Sequence, residues 1–504
     1  MLPFSADTRT ANLSRMAEGR FDVLVIGGGI TGAGIALDAA ARGLSVALVE
    51  KNDFASGTSG RSSRLIHGGI RYLEQRDFAL VRESLRERRT LLRLAPHLVR
   101  PLPVYMLADS PRSRALYQGG LAGYDVLAAG RNVGHHRSVR AERFLQAAPG
   151  LAGRPRGYRY YECQTDDARL TIEVARTAQA CGAVLANHAR ADGLLGGSTV
   201  TGASIVDELT GQRLEIRARA TVNASGVWAD RVRGLAPGGR ERLVPSKGVH
   251  LVFAPGAVRT KVAIIAPSAA DDGRFVFLIP WQDRVYAGTT DTLYSGELED
   301  PATDDSDRDY ILSAVARHFP GVTARDVVAS WAGLRPLLSQ DEGLADVKTR
   351  DLSRKHAIAE DPPGLFTITG GKLTTYRAMA EDLVDRVAGA LGAGGPCRTR
   401  TIPLGLHGSA REALHLATAE VARLGLPARA GARLVQRYGD DWQQAVRLIG
   451  ADRSLGEPVA AGLGVLNVEL KLARSREMAM TAEDVFVRRT RLTTRDASVQ
   501  LPAG

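Results

Sequence analysis

Gly27, Gly29 and Gly32 stand in a GxGxxG spacing directly after the apolar residues Val23, Leu24, Val25 and Ile26. Such a spacing cradles a pyrophosphate: the first glycine permits the tight turn, the second lets the backbone approach the phosphates, and the third lets the following helix pack against the strand. Glu50 closes the next apolar run, Leu44 to Val49, where a carboxylate accepts hydrogen bonds from a ribose 2′-hydroxyl. An acid at this position favours FAD or NAD over NADP. Ser62 and Ser63, in a Ser/Gly-rich stretch, are candidates to bind a pyrophosphate or ribityl chain. Two further places offer backbone amides to a cofactor: Asn223, Ala224 and Gly226 in NASG, and Gly371, Lys372, Leu373 and Thr374 after a second apolar run. His67 and His250 are the candidates for a general base, because imidazole titrates near neutral pH. His250, between Val249 and Leu251, also has the surroundings of a core residue.

These groups need elements to hold them. Residues 21–50 predict a strand, a glycine turn, a helix over residues 30–42 and a second parallel strand. A helix is expected over residues 170–181, short strands over 183–187 and 198–206, and a turn at Thr210–Gly211 leading into 212–220. A strand over 220–224 then returns to the first sheet and brings NASG to its carboxyl edge. Alternating patterns over 246–253 and 274–288 predict an antiparallel sheet that walls the cofactor. Residues 365–369 and 373–391 read as a strand and helix back in the first domain. Residues 77–98 form an amphipathic helix expected to pack on the nucleotide domain. Residues 112–130 are apolar on one side, with Gly119 and Gly120 each weakening a helix by ~1 kcal/mol relative to alanine. Asp166, Asp167 and Asp291 read as caps or loop supports.

With 504 residues, 44% hydrophobic and 24% charged, the chain has the composition of a folded, multidomain globular protein. The net charge of +11 is compatible with an anionic substrate, an anionic membrane surface or nucleic acid. The arginines are spread along the chain, and neither an RNP run nor a zinc knuckle accompanies them, which disfavours nucleic acid. Cys163, Cys181 and Cys397 have neither metal-ligand spacing nor a disulfide pattern, so no metal is expected. With no apolar run of about 18 residues, any membrane attachment is expected to be peripheral.

The blocks HGGIRYLE (67–74) and GGKLTTYR (370–377) are far more specific than the glycine spacing. With YYECQTDDARL, VNASGVWAD, WAGLRPLL and MTAEDVFVRRTRL in the same order along the chain, they resemble the FAD-dependent, quinone-linked glycerol-3-phosphate dehydrogenases, within the D-amino-acid-oxidase-like flavoproteins. The resemblance implies an α/β fold: a Rossmann-type FAD-binding domain, an antiparallel-sheet substrate domain and a helical C-terminal domain. The expected division is a polar, partly frayed leader (1–20), an oxidoreductase region (21–395) and a C-terminal domain (396–504). Within the second, residues 21–110, 155–243 and 346–395 are expected to bind FAD, and 111–154 and 244–345 to form the substrate cap.

The resemblance further implies oxidation of sn-glycerol 3-phosphate to dihydroxyacetone phosphate by hydride transfer to FAD, with electrons passed to a membrane quinone. Arg71, Tyr72 and Lys372 would hold the phosphate, and Arg335 would orient the hydroxyls and stabilise developing alkoxide charge. The base is left between His67 and His250. A cytoplasmic, peripheral enzyme on an anionic membrane surface is expected, with residues 112–130 as a contact segment and a homodimer as one assembly. The alternatives are an oxidase that uses oxygen, an amine or amino-acid oxidase of the same fold, and a basic flavin-containing nucleic-acid-binding protein.

Overall fold

The computed structural model describes residues 3–73, 76–108, 110–236, 243–270, 273–338 and 356–499, except the side chain of Arg71. Two sheets organise them. The first runs, edge to edge, through Ala357–Glu360, Leu365–Thr369, Arg213–Asn223, Arg20–Ile26, Val46–Val49 and Val184–Ala186. All neighbours from Leu365–Thr369 onward are parallel. The register pairs Ile26 with both Asn223 and Val49, so three strands end together. Val23, Leu24 and Val25 are buried on both sides of the sheet, as an apolar run in a central parallel strand requires. The helix Ile30–Ala41 leaves this shared edge at the glycine turn.

The second sheet is mostly antiparallel and is built on the long pairing of Leu243–Phe253 with Val327–Leu338, which sets Ser246 opposite Arg335 and Gly248 opposite Gly333. Arg284–Gly288, Phe275–Trp281 and Ala263–Pro267 extend it. Arg100–Leu107 and Gly157–Gln164 join the same sheet, although both lie in segments expected to serve the cofactor domain. The apolar alternation of those strands sets their period; only their partners decide which sheet they enter.

Two other expectations are corrected. The leader is not frayed: Ala6–Glu18 is a helix whose Leu13 and Met16 are buried in a core cluster. Arg9 donates to the Asn187 carbonyl at 2.7 Å and Asn12 to that of Leu185 at 2.9 Å. These polar residues are tethers, which a reading of composition takes for solvated surface. Residues 212–220 and 220–224 form one unbroken strand, Arg213–Asn223, and a strand at Ala189–Gly196 escaped notice because it is only half-buried.

The amphipathic helix Phe78–Leu94 bridges two cores. Leu80, Val81 and Leu85 pack with residues of the second sheet, whereas Leu91 and Leu94 pack with the nucleotide-binding layer. Beyond residue 396, helices Ala410–Arg423, Ala428–Tyr438, Trp442–Ala451 and Asn467–Glu477 enclose a core containing Val421, Leu434, Ile449 and Leu472.

Candidate functional site

A cavity of about 650 Å³ is lined from both sheets. That volume lies within the range of small-molecule and cofactor sites. At one end a glycine turn contributes bare backbone to the wall. Gly27 has φ +116°, and a Cβ there would lie 2.6 Å from the Ala224 carbonyl oxygen. A Cβ on Gly32 would stand 1.9 Å from the carbonyl oxygen of Gly27, so only glycine closes this turn. Above Gly29, at the helix N-terminus, the nearest atom to an added Cβ is Ser59 Oγ at 3.1 Å; the open space belongs to the cavity. This is a cradle that a side chain would fill, with N–H groups and the helix dipole directed at an anion.

Glu50 lines the same end, where its Oε2 accepts from Gly28 N at 2.6 Å and its Oε1 from Asn52 N at 2.9 Å. Burial pushes its carboxyl up, and the two N–H groups oppose that shift. Each carboxylate oxygen has a second lone pair for a hydroxyl.

The other predicted cofactor residues divide. Ala224, Gly226, Gly371, Lys372 and Leu373 line the cavity, whereas Asn223 and Thr374 support it from behind. Asn223 donates to the Ala229 carbonyl and accepts from the Ser225 hydroxyl. Thr374 Oγ1 accepts from His67 N at 3.1 Å. Ser62 and Ser63 face the cavity, but their hydroxyls are engaged by protein. Ser62 N and Oγ donate to Asp167 Oδ2 at 2.9 and 2.8 Å, and Ser63 Oγ lies 2.9 Å from His250 Nε2. Nearest the glycine turn stands Ser59, which accepts from Ile30 N at 2.9 Å. Sequence reasoning passed over it, and the SGTSG run that contains it was the available signal.

The opposite end is built from side chains. Arg335 Nη1 donates to Asp291 Oδ1 at 3.2 Å and to Ser246 Oγ at 3.3 Å, and Nη2 donates to Thr289 Oγ1 at 3.1 Å and the Thr290 carbonyl at 3.2 Å. A Cβ at Gly248 would lie 2.3 Å from Arg335 Nη2, so that glycine makes room for the guanidinium. Lys372 Nζ stands 3.7 Å from the centroid of the buried Tyr72 ring, a cation–π contact that orients the ammonium. His67 is 6.3 Å from Tyr72, ring to ring. The Arg71 backbone lies in the turn Ile70–Leu73, and its side chain falls outside the described residues.

His250 stacks on Trp331 at 4.7 Å and 12°, and its Nδ1 is buried without a hydrogen-bond partner among the described residues. Burial, and then the guanidinium groups of Arg335 and Arg64, hold its pKa well below the ordinary imidazole value. It is therefore neutral at physiological pH.

Comparison with known proteins agrees with this geometry. The model of the FAD dependent oxidoreductase family matches residues 22–386, and that of the C-terminal domain of alpha-glycerophosphate oxidase matches residues 397–503. Glycerol-3-phosphate dehydrogenase 2 of Mycobacterium bovis is 40% identical over 497 residues, covering 96% of this chain and 83% of its own. Alpha-glycerophosphate oxidase of Streptococcus pneumoniae is 36% identical, covering 77% of this chain and 74% of its own. The crystal structure of glycerol-3-phosphate dehydrogenase from Bacillus halodurans complexed with FAD superposes with a TM-score of 0.80 at 34% identity, covering 98% of this chain and 90% of the other. The glycine cradle, Glu50 and the cavity fit a dinucleotide flavin, and the chain belongs to the FAD-dependent oxidoreductases, within the family of the glycerol-3-phosphate dehydrogenases.

Proposed function

We propose that this protein oxidises sn-glycerol 3-phosphate to dihydroxyacetone phosphate and passes the electrons to a membrane quinone. The observation that carries the reading is the lining of one cavity by a glycine-and-glutamate dinucleotide end and, at a second end, by cations that include Arg335, Lys372 and Arg274, whose Nη1 donates to the Asp291 carbonyl at 3.2 Å. An anionic three-carbon substrate needs such cations, and the relatives' substrate names point to the same chemistry.

Bound FAD supplies a hydride acceptor for the carbinol C–H. The chain's own residues do the rest. Lys372, set over Tyr72, attracts the phosphate as a point charge, and the family resemblance assigns Arg71, whose backbone lies in the turn that carries Tyr72, to the same phosphate. Arg335 is held by Asp291, Ser246 and Thr289, so it presents a fixed guanidinium to the hydroxyls and to alkoxide charge as it develops. His67 takes the hydroxyl proton. His250 is the poorer base, because its imidazolium would be buried between Arg335 and Arg64. It serves as a neutral wall that accepts or donates one hydrogen bond at Ser63.

A quinone acceptor is supported by the helix Pro111–Ala128. Leu116 on this helix is both solvent-exposed and part of the cavity lining, with Gly120 and Leu121 beside it, and Val126 is exposed further along. An apolar acceptor approaching along an anionic membrane face meets the cavity there. Among the described residues no helix is long and apolar enough to cross a membrane. The oxygen-using alternative is kept by the likeness to the streptococcal oxidase.

Anaerobic bleaching of the yellow protein near 450 nm by glycerol 3-phosphate, followed by reoxidation with a short-chain ubiquinone or with oxygen, tests both parts. Bleaching and quinone-selective recovery are expected. Fast recovery by oxygen moves the protein to the oxidases, and absence of bleaching rejects the substrate.

A further inference from the structure

The segment from Asp53 to Ser63 forms one wall of the cavity, with Thr58, Ser59, Ser62 and Ser63 facing inward. Its outer side is gripped at both ends by a single turn of the C-terminal domain. Arg488 Nε donates to Asp53 Oδ2 at 2.6 Å, and Arg489 bonds both oxygens of the same carboxylate. At the other end, Arg491 Nη1 donates to the Gly60 carbonyl at 2.9 Å, while its remaining nitrogens bond Asp166 at 3.1 Å and Asp167. Asp167 uses its other oxygen for Ser62, and the next residue, Ser63, meets His250.

The turn is itself rigid. Arg489 donates to the Glu477 carbonyl, Arg437 donates to the Arg489 carbonyl, and Thr490 Oγ1 donates to the Val485 carbonyl. Arg489 and Arg491 are buried, as are Asp53 and Asp167. Buried ion pairs recover their desolvation cost only when geometry is good, and they contribute little net stability compared with apolar packing. What they do supply is a defined geometry. Here the geometry they define is that of the wall.

We propose that Arg491 is a positioning residue of the flavin cavity: acting from the C-terminal domain through Asp167, it sets the place of Ser62 and hence of the Ser63–His250 pair. The C-terminal domain is thereby a working part of the site. The kinetic part of this inference rests on the glycerol 3-phosphate reading; the cofactor part does not.

Four variants test it: Arg491→Met, Ser63→Ala, their double combination, and Arg423→Ala on an exposed face of the same domain. FAD affinity of the apo-protein is read from quenching of flavin fluorescence, and anaerobic flavin reduction by glycerol 3-phosphate from stopped flow. Arg491→Met is expected to weaken FAD binding about tenfold and to slow reduction about tenfold or more with KM within about twofold, whereas Arg423→Ala changes neither. Arg491 and Ser63 share no hydrogen bond, so independent effects would add. Through-Ser63 action instead makes Arg491→Met nearly silent towards the reduction rate in the Ser63→Ala background. Wild-type FAD affinity and reduction rate in Arg491→Met, or full additivity in the double variant, overturns the proposal. Should Arg491→Met not accumulate as folded protein, Arg491→Lys, which keeps charge but reaches fewer acceptors, is read the same way, with an intermediate loss expected. If wild-type flavin is not bleached by glycerol 3-phosphate, the substrate reading fails, and FAD affinity still decides this inference.

Discussion

The two ends of the cavity are made in opposite ways. At the dinucleotide end, specificity resides in backbone: three glycines leave room where any Cβ would strike a carbonyl oxygen or fill the cradle, and Glu50 is held by two main-chain N–H groups. At the other end it resides in side chains, and each is held by residues remote in sequence, as Arg335 is by Asp291 and Lys372 by Tyr72. The difference teaches that a cofactor common to many proteins can be met by a local turn, whereas a small anionic substrate requires charges brought together from several strands.

Breaking the backbone end should have the largest effect. Gly32→Ala places a methyl 1.9 Å from the Gly27 carbonyl oxygen, and the purified protein should lack flavin absorbance altogether. Next in size, Arg335→Met should retain FAD yet lower kcat/KM for glycerol 3-phosphate by about 100-fold or more, the scale of losing an electrostatic stabiliser of the transition state. Steady-state kinetics and the flavin spectrum together check both halves of that statement. Lys372→Met should act mainly on binding, raising KM about 10- to 100-fold for a lost charged contact, again with FAD retained. If it loses flavin instead, the boundary between the two ends has been drawn in the wrong place.

The mildest expected effect concerns pH and separates the charged end from the rest of the fold. His250 is held neutral in the folded chain, and burial pushes His97, near the C-terminal domain, down to about 3. The unfolded chain takes up protons near pH 6.5, while the folded chain does so only lower. Stability is therefore complete above about 6.5 and falls as pH drops below it, by at most about 1.4 kcal/mol per pH unit for each histidine. His97→Gln should flatten the acid side of a Tm-versus-pH curve without altering FAD affinity, and an unchanged slope would dismiss His97 as its cause.

How much of this was legible differs between the ends for the same reason. The glycine turn, its flanking strands and Glu50 are neighbours in sequence, so spacing alone placed them on one edge, and Asn223 was correctly brought to that edge by its strand. The cations had no local pattern. Arg335 and the cationic role of Lys372 were singled out through resemblance to a family; local sequence marked Lys372 only for its backbone, in the glycine turn after an apolar run. Ser62 and Ser63 show the limit from the other side. Their sequence surroundings suggested a cofactor ligand, but hydroxyls take the strongest acceptors in reach, and folding brings Asp167 and His250 within reach.

The C-terminal run of arginines was legible only as part of the block MTAEDVFVRRTRL, which carries the family resemblance but gives no sign of which residues the arginines meet. Its partners, Asp53, Gly60, Asp166 and Asp167, are hundreds of residues away, so the pairings exist only once the domains have packed. By itself the sequence determined the periodic elements, the dinucleotide turn and the acid beside it, because these depend on residues within one βαβ unit. Which strands share the second sheet, where the two histidines stand and what holds the wall of the cavity were decided by tertiary structure alone, since each depends on long-range register, burial and charge.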